Sequence, residues 1–242
     1  MVDGLARGPL HMTLLDPASS PGAAGESIAT TAAELGTDAI MVGGSTDVSS
    51  ENLDDLVLHI KQKTSLPVIY FPSTAGAMSA HVDAIYFLSL LNSRSPRAIV
   101  REQARGAPLI RAAGIEAISM GYLVVAPGMR VGAVGEADLL PRTPEGAERA
   151  AAFALAAQLF GMKLVYLESG SGAPSPVPAS CVRTVRDALD IPLVVGGGIR
   201  SAAQAEEMLD AGADILVTGT IAETRSFDRL GEILAAVRKR RA

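Results

Sequence analysis

Residues 164–176 read LVYLESGSGAPSP and place a carboxylate, Glu168, directly after an apolar run that is typical of a buried β-strand. A carboxylate that lies close to a bound phosphate can act as a general base toward a substrate hydroxyl. The Gly170-Ser171-Gly172 segment that follows has small side chains, so its backbone N–H groups can approach an anion closely. We interpret this stretch as a proton acceptor attached to one wall of a phosphate site.

Two more glycine-rich segments follow predicted strands nearer the end of the chain. Gly196, Gly197 and Gly198 follow the seventh strand, and Gly219 and Thr220 follow the eighth. One such loop alone is more simply explained as a tight turn. Three of them at corresponding strand ends favour a phosphate site, because barrels often hold phosphate with the loops after strands seven and eight. The pattern identifies a ligand group and leaves the reaction open.

Oxygen ligands follow the first two predicted strands. Asp16 ends the first strand, and Ser45 follows the Gly43-Gly44 pair that ends the second. Mg²⁺ is commonly bound by one or two protein groups together with substrate phosphates and water. Asp16 and Ser45 are therefore candidate oxygen ligands for a magnesium ion. A turn cap before a proline is the alternative role for Asp16, and an ordinary loop serine is the alternative for Ser45.

Eight short apolar runs indicate the strands that position these residues. Most runs are continuous rather than alternating, as expected for parallel strands that are buried on both faces. The runs are HMTLLD from His11, DAIMVGG from Asp38, LPVIYFP from Leu66, AIYFLSLLN from Ala84, EAISMGYLVV from Glu116, KLVYLES from Lys163, IPLVVGGG from Ile191 and DILVTGT from Asp214. Helical periods lie between them, so we predict an α/β fold, a single (β/α)8 TIM-barrel domain over residues 1–242. An open doubly wound sheet is the alternative, but no G-x-G-x-x-G segment begins a first helix.

The connection between the third and fourth strands is short. Only STAGAMSAHVD separates Pro72 from Ala84. A parallel crossover normally takes a dozen or more residues and usually a helix. We predict that the third helix is short or replaced by an irregular segment. The apolar notch left in the outer ring of helices could hold a long hydrocarbon ligand.

Composition restricts the functional class. The chain has 242 residues, 48% of them hydrophobic, and a net charge of −5. This balance lacks the basic surface that nucleic-acid binding requires, so we expect no nucleic-acid partner. The single cysteine, Cys181, fits a reducing compartment. No apolar run reaches the ~18 residues of a membrane span, and we expect a cytoplasmic protein.

The predicted strands and loops together resemble the geranylgeranylglyceryl phosphate synthase family, archaeal ether-lipid prenyltransferases whose bacterial relatives make heptaprenylglyceryl phosphate. The resemblance rests on HMTLLDP, DAIMVGGST, LPVIYFPS, DAIYFLSLLNS, GYLVVAPGM, YLESGSGAPSPV, VVGGGIRS and ADILVTGT, which occur in that order across almost the whole chain. It implies a modified barrel whose third helix is replaced by an irregular segment. It also implies a magnesium-dependent enzyme that transfers a geranylgeranyl group from its diphosphate to the terminal hydroxyl of sn-glycerol 1-phosphate.

The same resemblance assigns the site residues. It implies that glycerol 1-phosphate is bound by Tyr166, Leu167, Glu168, Ser169, Gly170, Ser171, Gly172, Gly197, Gly198, Gly219 and Thr220. It implies that Mg²⁺ at Asp16 and Ser45 bridges to the prenyl diphosphate, and that Glu168 lies near the attacking hydroxyl. Many relatives continue the Asp-Pro pair with an acidic residue and a lysine, whereas this chain continues with Ala-Ser-Ser. That loop therefore lacks a cation that would help to hold the diphosphate. Arg94, Arg97 and Arg200 could contribute instead, although a solvated position at a helix start is the simpler explanation for each.

Several alternatives stay open from the sequence. A relative with a longer, heptaprenyl donor would use the same chemistry with a deeper groove. Another phosphosugar barrel enzyme, such as an isomerase or an aldol-type lyase, would need a second acid or a Schiff-base lysine in the mouth. A catalytically silent phosphate-binding barrel would not depend on Glu168. The apolar helix face that includes Ala150 could pack on a second subunit or equally on the barrel, and the resemblance favours a homo-oligomer, a dimer or a hexamer. The RKRR tail is more simply explained as a cationic helix end that matches the helix dipole, so we expect at most peripheral membrane contact.

Overall fold

Eight parallel strands close into a barrel in the computed structural model of the protein, which describes residues 5–44 and 46–241. The strands are β1 (Leu10–Leu15), β2 (Ala39–Val42), β3 (Val68–Tyr70), β4 (Ala84–Leu90), β5 (Glu116–Val124), β6 (Leu164–Glu168), β7 (Leu193–Gly196) and β8 (Ile215–Thr218). Each strand pairs with the next along the chain, and β1 also pairs with β8. All eight predicted strands are present, and the closed barrel rules out the open doubly wound sheet.

Helices cover the outside of the barrel. They are α1 (Gly22–Leu35), α2 (Ser50–Lys63), α3 (Glu102–Ala113), α4 (Met129–Val134), α5 (Pro144–Leu159), α6 (Ala179–Asp187), α7 (Ala202–Asp210), α8 (Thr220–Glu223) and α9 (Phe227–Arg238), and a π-helical turn at Arg97–Arg101 leads into α3. The sequence of α2 shows why these elements form. Ser49 caps its first turn, and Leu53, Leu56, Val57 and Ile60 recur at helical spacing on its buried face.

The third crossover has no helix. Residues 71–83, all of which the structure describes, run as turns and irregular backbone between β3 and β4. The prediction of an irregular third segment is therefore confirmed. Residues of this segment and of β4 line a cavity instead of packing beneath a helix.

Aromatic side chains pack inside the barrel near the carboxyl ends of the strands. Tyr122 on β5 and Tyr166 on β6 are register partners whose ring centroids lie 5.3 Å apart. Phe71 stacks on Tyr166 at a centroid distance of 5.7 Å. Because side chains alternate along a strand, Glu168 shares the inner face with Tyr166, two residues before it. The end of β6 therefore directs Glu168 into the barrel mouth.

A buried histidine and the C-terminal tail close the opposite end of the barrel. His11 is fully buried, with Nδ1 2.9 Å from the Thr37 hydroxyl and Nε2 3.0 Å from the Thr218 hydroxyl. After α9, Arg241 pairs with Asp38 at 2.5 Å. The end of the basic tail is thus bound to the barrel itself.

The buried His11 predicts a fold that weakens in acid. Burial, with a smaller effect of the Arg241 charge, lowers the pKa of His11 from its usual 6.5 to about 3. Between pH 6.5 and about pH 3, His11 is therefore protonated in the unfolded chain but not in the folded protein. The free energy of unfolding falls as the pH decreases through this range. We expect this group to lower the free energy of unfolding by up to about 1.4 kcal/mol per pH unit.

Chemical denaturation at neutral and at mildly acidic pH measures this decline. His11→Asn, which has no ring to protonate, should lose less stability on acidification than the wild type. The exposed His81 provides the control, since His81→Asn should decline like the wild type. Equal declines in all three proteins would contradict the role assigned to His11.

Candidate active site

A small pocket of about 40 Å³ lies at the carboxyl ends of β6, β7 and β8. It is lined by Leu14, Tyr166, Glu168, Ser171, Gly172, Gly197, Gly198, Ile199, Arg200, Val217, Thr218, Gly219 and Thr220. The hydroxyls of Ser171 and Thr220 lie 3.3 Å apart and join the loops after β6 and β8. The three glycine-rich loops of the sequence therefore meet at one place.

Glu168 forms part of this pocket and is only 5% exposed. Its Oε1 accepts a 2.6 Å hydrogen bond from the backbone N–H of Gly170, in the turn after β6. Gly197 makes room for the carboxylate, because a Cβ at this position would lie 2.3 Å from Glu168 Oε1. The φ of Gly197, +81°, also favours glycine. The loop after β7 therefore fits around Glu168 only with a glycine at this point.

The surroundings of Glu168 favour proton uptake. Burial raises the pKa of this carboxyl above its usual 4.5. The Gly170 N–H and the nearby Tyr166 and Tyr122 phenols favour the ionised form and offset part of the rise. A carboxylate with a raised pKa binds a proton more tightly than an exposed one, as a general base requires.

Arg200 lies in the wall of the small pocket. Its guanidinium donates a hydrogen bond to the Gly172 carbonyl at 2.9 Å, so it links the loop after β7 to the loop after β6. It also brings a positive charge to a pocket in which the backbone of Gly197 and Gly198 is uncovered by side chains. This combination suits a phosphate group.

The structure brings most of the predicted substrate-binding residues together. Those that line the small pocket are Tyr166, Glu168, Ser171, Gly172, Gly197, Gly198, Gly219 and Thr220. Gly170 lies behind them and holds Glu168 through its N–H. Ser169 is fully buried, and its hydroxyl has no hydrogen-bond partner among the described residues. Leu167 packs between the barrel and the helices, because it alternates with Glu168, so its side chain does not reach the pocket.

A larger cavity of about 180 Å³ extends from Glu168 toward the irregular third segment. Its lining is mainly apolar and comes from that segment, from β4 and from α3, where Gly106 and Ile110 contribute. The residues that line both cavities are Leu14, Glu168, Ser171 and Gly219. The notch expected from the short third crossover is therefore present, and it meets the small pocket at Glu168.

Asp16 lines the same cavity after β1. Its Oδ1 accepts a 2.9 Å hydrogen bond from the Ala18 N–H, and a Cβ on Gly44 would lie 2.3 Å from its Oδ2. Burial raises the pKa of Asp16, and the Ala18 N–H opposes this rise. Ser45, the second predicted magnesium ligand, lies outside the described residues. Within residues 5–44 and 46–241, no three His, Cys, Asp or Glu side chains form a ready-made metal site, but Mg²⁺ held largely by substrate phosphates needs only one or two protein groups.

Two charged residues near Asp16 escaped the sequence analysis. Glu223, the last residue of α8, accepts hydrogen bonds from the Asp16 backbone N–H at 3.0 Å and from the Ser19 hydroxyl at 2.8 Å. The sequence did contain one indication of its role, because Glu223 lies about one helical turn after the predicted site residue Thr220. The charges of Glu223 and Asp47 add to the rise that burial causes in the pKa of Asp16, and the charge of Arg130 opposes part of it. No sequence pattern pointed to Arg130.

The candidate cations for the diphosphate lie in different places. Arg97 lines the larger cavity, and Arg200 lines the small pocket. Arg94 instead pairs with Asp138 on the surface at 2.8 Å. Arg97 is therefore the one of these three arginines that lines the apolar cavity.

The closed barrel and its three glycine loops place the protein among the (β/α)8 barrels with a site at the carboxyl ends of β6, β7 and β8. The model of the PcrB family matches residues 5–237, and the chain belongs to this family. It is 52% identical over 231 residues to a geranylgeranylglyceryl phosphate synthase of Pyrococcus horikoshii, an alignment that covers 95% of this chain and 90% of that protein.

Solved structures of similar proteins share the whole fold. The (S)-3-O-geranylgeranylglyceryl phosphate synthase of Thermoplasma acidophilum, in complex with sn-glycerol-1-phosphate, is 46% identical with a TM-score of 0.93. That match covers 98% of this chain and 96% of the other. The wild-type GGGPS of Thermoplasma volcanium is 42% identical with a TM-score of 0.95, over 100% of this chain and 97% of the other.

Because Gly197 lies against Glu168, we predict that Gly197→Ala weakens ligand binding in the small pocket. The added methyl group would overlap with Glu168 Oε1 and displace either the carboxylate or the loop after β7. We expect the affinity for glycerol 1-phosphate, measured by isothermal titration calorimetry, to fall at least about tenfold.

Gly161 provides the matched control. Its φ of +79° is close to that of Gly197, but a Cβ there would meet nothing within 4 Å. Gly161→Ala should therefore carry a similar backbone strain and bind glycerol 1-phosphate like the wild type. The same loss of affinity in both variants would show that strain, and not the contact with Glu168, is responsible.

Proposed function

We propose that the protein joins the geranylgeranyl group of geranylgeranyl diphosphate to the terminal hydroxyl of sn-glycerol 1-phosphate and releases diphosphate. This reaction makes the first ether bond of archaeal membrane lipids. One observation carries the proposal: Glu168 lines both the small pocket on the glycine loops and the larger, mainly apolar cavity. The names of its relatives and the sn-glycerol-1-phosphate bound to the Thermoplasma acidophilum protein support the same substrates.

The small pocket suits glycerol 1-phosphate. Its phosphate would bind the backbone of Gly197 and Gly198 and the start of α8, with the Arg200 charge nearby. The glycerol chain would then extend toward Glu168, which lines both cavities. In this pose the terminal hydroxyl lies at the entrance of the apolar cavity, where the prenyl chain is held.

Glu168 would receive the proton in the reaction. The bond between the first prenyl carbon and the diphosphate oxygen breaks, and the electron pair leaves with diphosphate. The hydroxyl oxygen of glycerol 1-phosphate forms the new C–O bond, and its proton passes to the Glu168 carboxylate. Holding both substrates by their phosphates fixes the two reacting atoms next to each other, which supplies much of the rate.

The residues at the cavity mouth fit a magnesium ion on the diphosphate. Asp16 presents a carboxylate to the cavity, the kind of oxygen that Mg²⁺ prefers, and Ser45 is the second proposed ligand. When bound, the ion would neutralise charge that develops on the leaving diphosphate. Asp16 would anchor the diphosphate end of the donor while the apolar cavity holds the chain.

Loss of the Glu168 charge should separate binding from transfer. Glu168→Gln keeps the shape of the side chain and an acceptor for the Gly170 N–H, but it no longer accepts the substrate proton. We expect kcat to fall by about a hundredfold or more, with the affinity for glycerol 1-phosphate within about threefold of the wild type. The assay follows label from glycerol 1-phosphate into the organic phase, with Mg²⁺ and prenyl diphosphates of increasing length.

The arms of this assay distinguish the alternatives. Glu207→Gln, on the exposed side of α7, should transfer like the wild type, and EDTA should stop transfer if Mg²⁺ is required. A better rate with a heptaprenyl donor than with a twenty-carbon donor would favour the longer-chain synthase. Glycerol phosphate binding without transfer from any donor would leave a silent phosphate-binding barrel.

We further propose that the protein is a homo-oligomer, a dimer or a hexamer. At the end of α5, Leu155, Leu159 and Phe160 are 41%, 78% and 73% exposed. Large apolar side chains grouped in this way favour contact with the same patch on a second copy.

A double variant, Leu159→Glu with Phe160→Glu, should dissociate the oligomer. Two charges on each side of a self-complementary contact repel each other and are costly to bury. Light scattering after size exclusion should give the monomer mass for this variant and the oligomer mass for Leu58→Glu, a control at an exposed leucine of α2. An unchanged mass in the double variant would place the interface elsewhere.

The proposed location is the cytoplasm, with at most peripheral membrane contact and no nucleic-acid partner. In the described part of the chain, no helix has the length and apolar character to cross a membrane. The net charge of −5 is the reason that we propose no nucleic-acid partner.

A further inference from the structure

We propose that Glu223 is a positioning residue that holds the Asp16 turn in place for the diphosphate side of the reaction. The inference rests on the proposed function and adds a residue to that site. It concerns a contact between the two ends of the chain, because Asp16 follows β1 and Glu223 ends the helix after β8.

One carboxylate oxygen makes the contact. Glu223 Oε1 accepts the Asp16 backbone N–H at 3.0 Å and the Ser19 hydroxyl at 2.8 Å. Glu223 thus holds the first residue of the turn and a residue three positions later. A side chain that accepts from both points fixes the orientation of the whole turn relative to α8.

The turn itself is closed by the Asp16 side chain and carbonyl. Asp16 Oδ1 accepts the Ala18 N–H at 2.9 Å, and the Asp16 carbonyl accepts the N–H groups of Ser19 at 3.1 Å and Ser20 at 2.8 Å. These bonds hold residues 16–20 together as one turn, so a contact to one of them bears on the position of the others. The support on the β8 side is Glu223.

The same short helix also contacts the other substrate pocket. Thr220, the first residue of α8, lines the small pocket, and the Glu223 N–H donates to the Gly219 carbonyl at 3.1 Å. Ile221 and Ala222 between them are buried and fix the helix to the barrel. Glu223 therefore ties the Asp16 turn to the element that carries part of the glycerol phosphate site.

The experiment measures metal binding apart from transfer. Mn²⁺, used as a probe for Mg²⁺, is titrated into the protein with inorganic pyrophosphate and followed by electron paramagnetic resonance. Glu223→Ala removes both hydrogen bonds to the turn and should weaken Mn²⁺ binding about tenfold. Glu223→Gln keeps an acceptor oxygen and should stay within about threefold of the wild type. Ser19→Ala removes one of the two bonds and should fall between them.

Steady-state kinetics supply the second readout. For Glu223→Ala, the KM for the prenyl diphosphate should rise about tenfold, with the affinity for glycerol 1-phosphate changed less than about twofold. Glu207→Ala, which removes an exposed glutamate on α7, should match the wild type in every measurement. Asp16→Asn should abolish Mn²⁺ binding. This result would show that the electron paramagnetic resonance signal comes from an ion bound at Asp16.

Three outcomes would overturn the proposal. Equal losses in Glu223→Gln and Glu223→Ala would make the charge itself the essential feature, as for a direct metal ligand. Wild-type binding in Glu223→Ala would mean that the turn needs no support. Absence of Mn²⁺ binding in the wild type would mean that there is no metal site at the Asp16 turn for Glu223 to position. Failure of the proposed function appears separately, as absence of transfer by a wild-type protein that binds Mn²⁺ and pyrophosphate normally.

Discussion

A single short hydrogen bond, 2.6 Å from the Gly170 N–H to Oε1, holds the carboxylate of Glu168 at the end of β6, where only 5% of the residue is exposed. Burial of a carboxylate without such a donor would favour its neutral form far more strongly. The site is therefore organised around this group. Gly197 has no side chain at the point where one would strike Glu168 Oε1, and the inner-facing tyrosines pack below the carboxylate. Glu168 thus remains available to a ligand while it is shielded from bulk water.

The missing third helix provides the second half of the site. A helix after β3 would cover the strands that now line the apolar cavity, as helices cover the other strands of the barrel. In its place, residues 71–83 follow an irregular path and leave a channel that ends at Glu168. The glycine loops form the small pocket, and the absence of a third helix leaves room for the apolar cavity. Each of these two features depends on a short stretch of sequence, and the proposed reaction takes place where the pocket and the cavity meet.

The sequence predicted those features that depend on local patterns. The eight strands, the short third crossover and the glycine loops are all visible as runs of residue type, and parallel strands bring their carboxyl ends together. Strand alternation also explains why Leu167 faces away from the pocket while Glu168 faces into it, although the resemblance had included both. That correction needed only the register of β6.

Contacts between distant segments could not be predicted in the same way. Glu223 meets the Asp16 turn across most of the chain, and its partners are a backbone N–H and a serine hydroxyl that carry no sequence signature. Arg241 likewise pairs with Asp38 at the far end of the barrel, where the tail sequence alone suggested only a helix end or a membrane contact. Such pairs depend on the closure of the barrel, which brings β1 beside β8.

The central claim is that Glu168 connects the two cavities as the acceptor of the substrate proton. A crystal structure with glycerol 1-phosphate, Mg²⁺ and a thiolo analogue of geranylgeranyl diphosphate, which resists transfer, tests it most directly. The account predicts that the terminal hydroxyl lies about 3 Å from a Glu168 oxygen, with the phosphate on the glycine loops and the prenyl chain in the apolar cavity. A hydroxyl that points away from Glu168, or a prenyl chain bound outside that cavity, would contradict it.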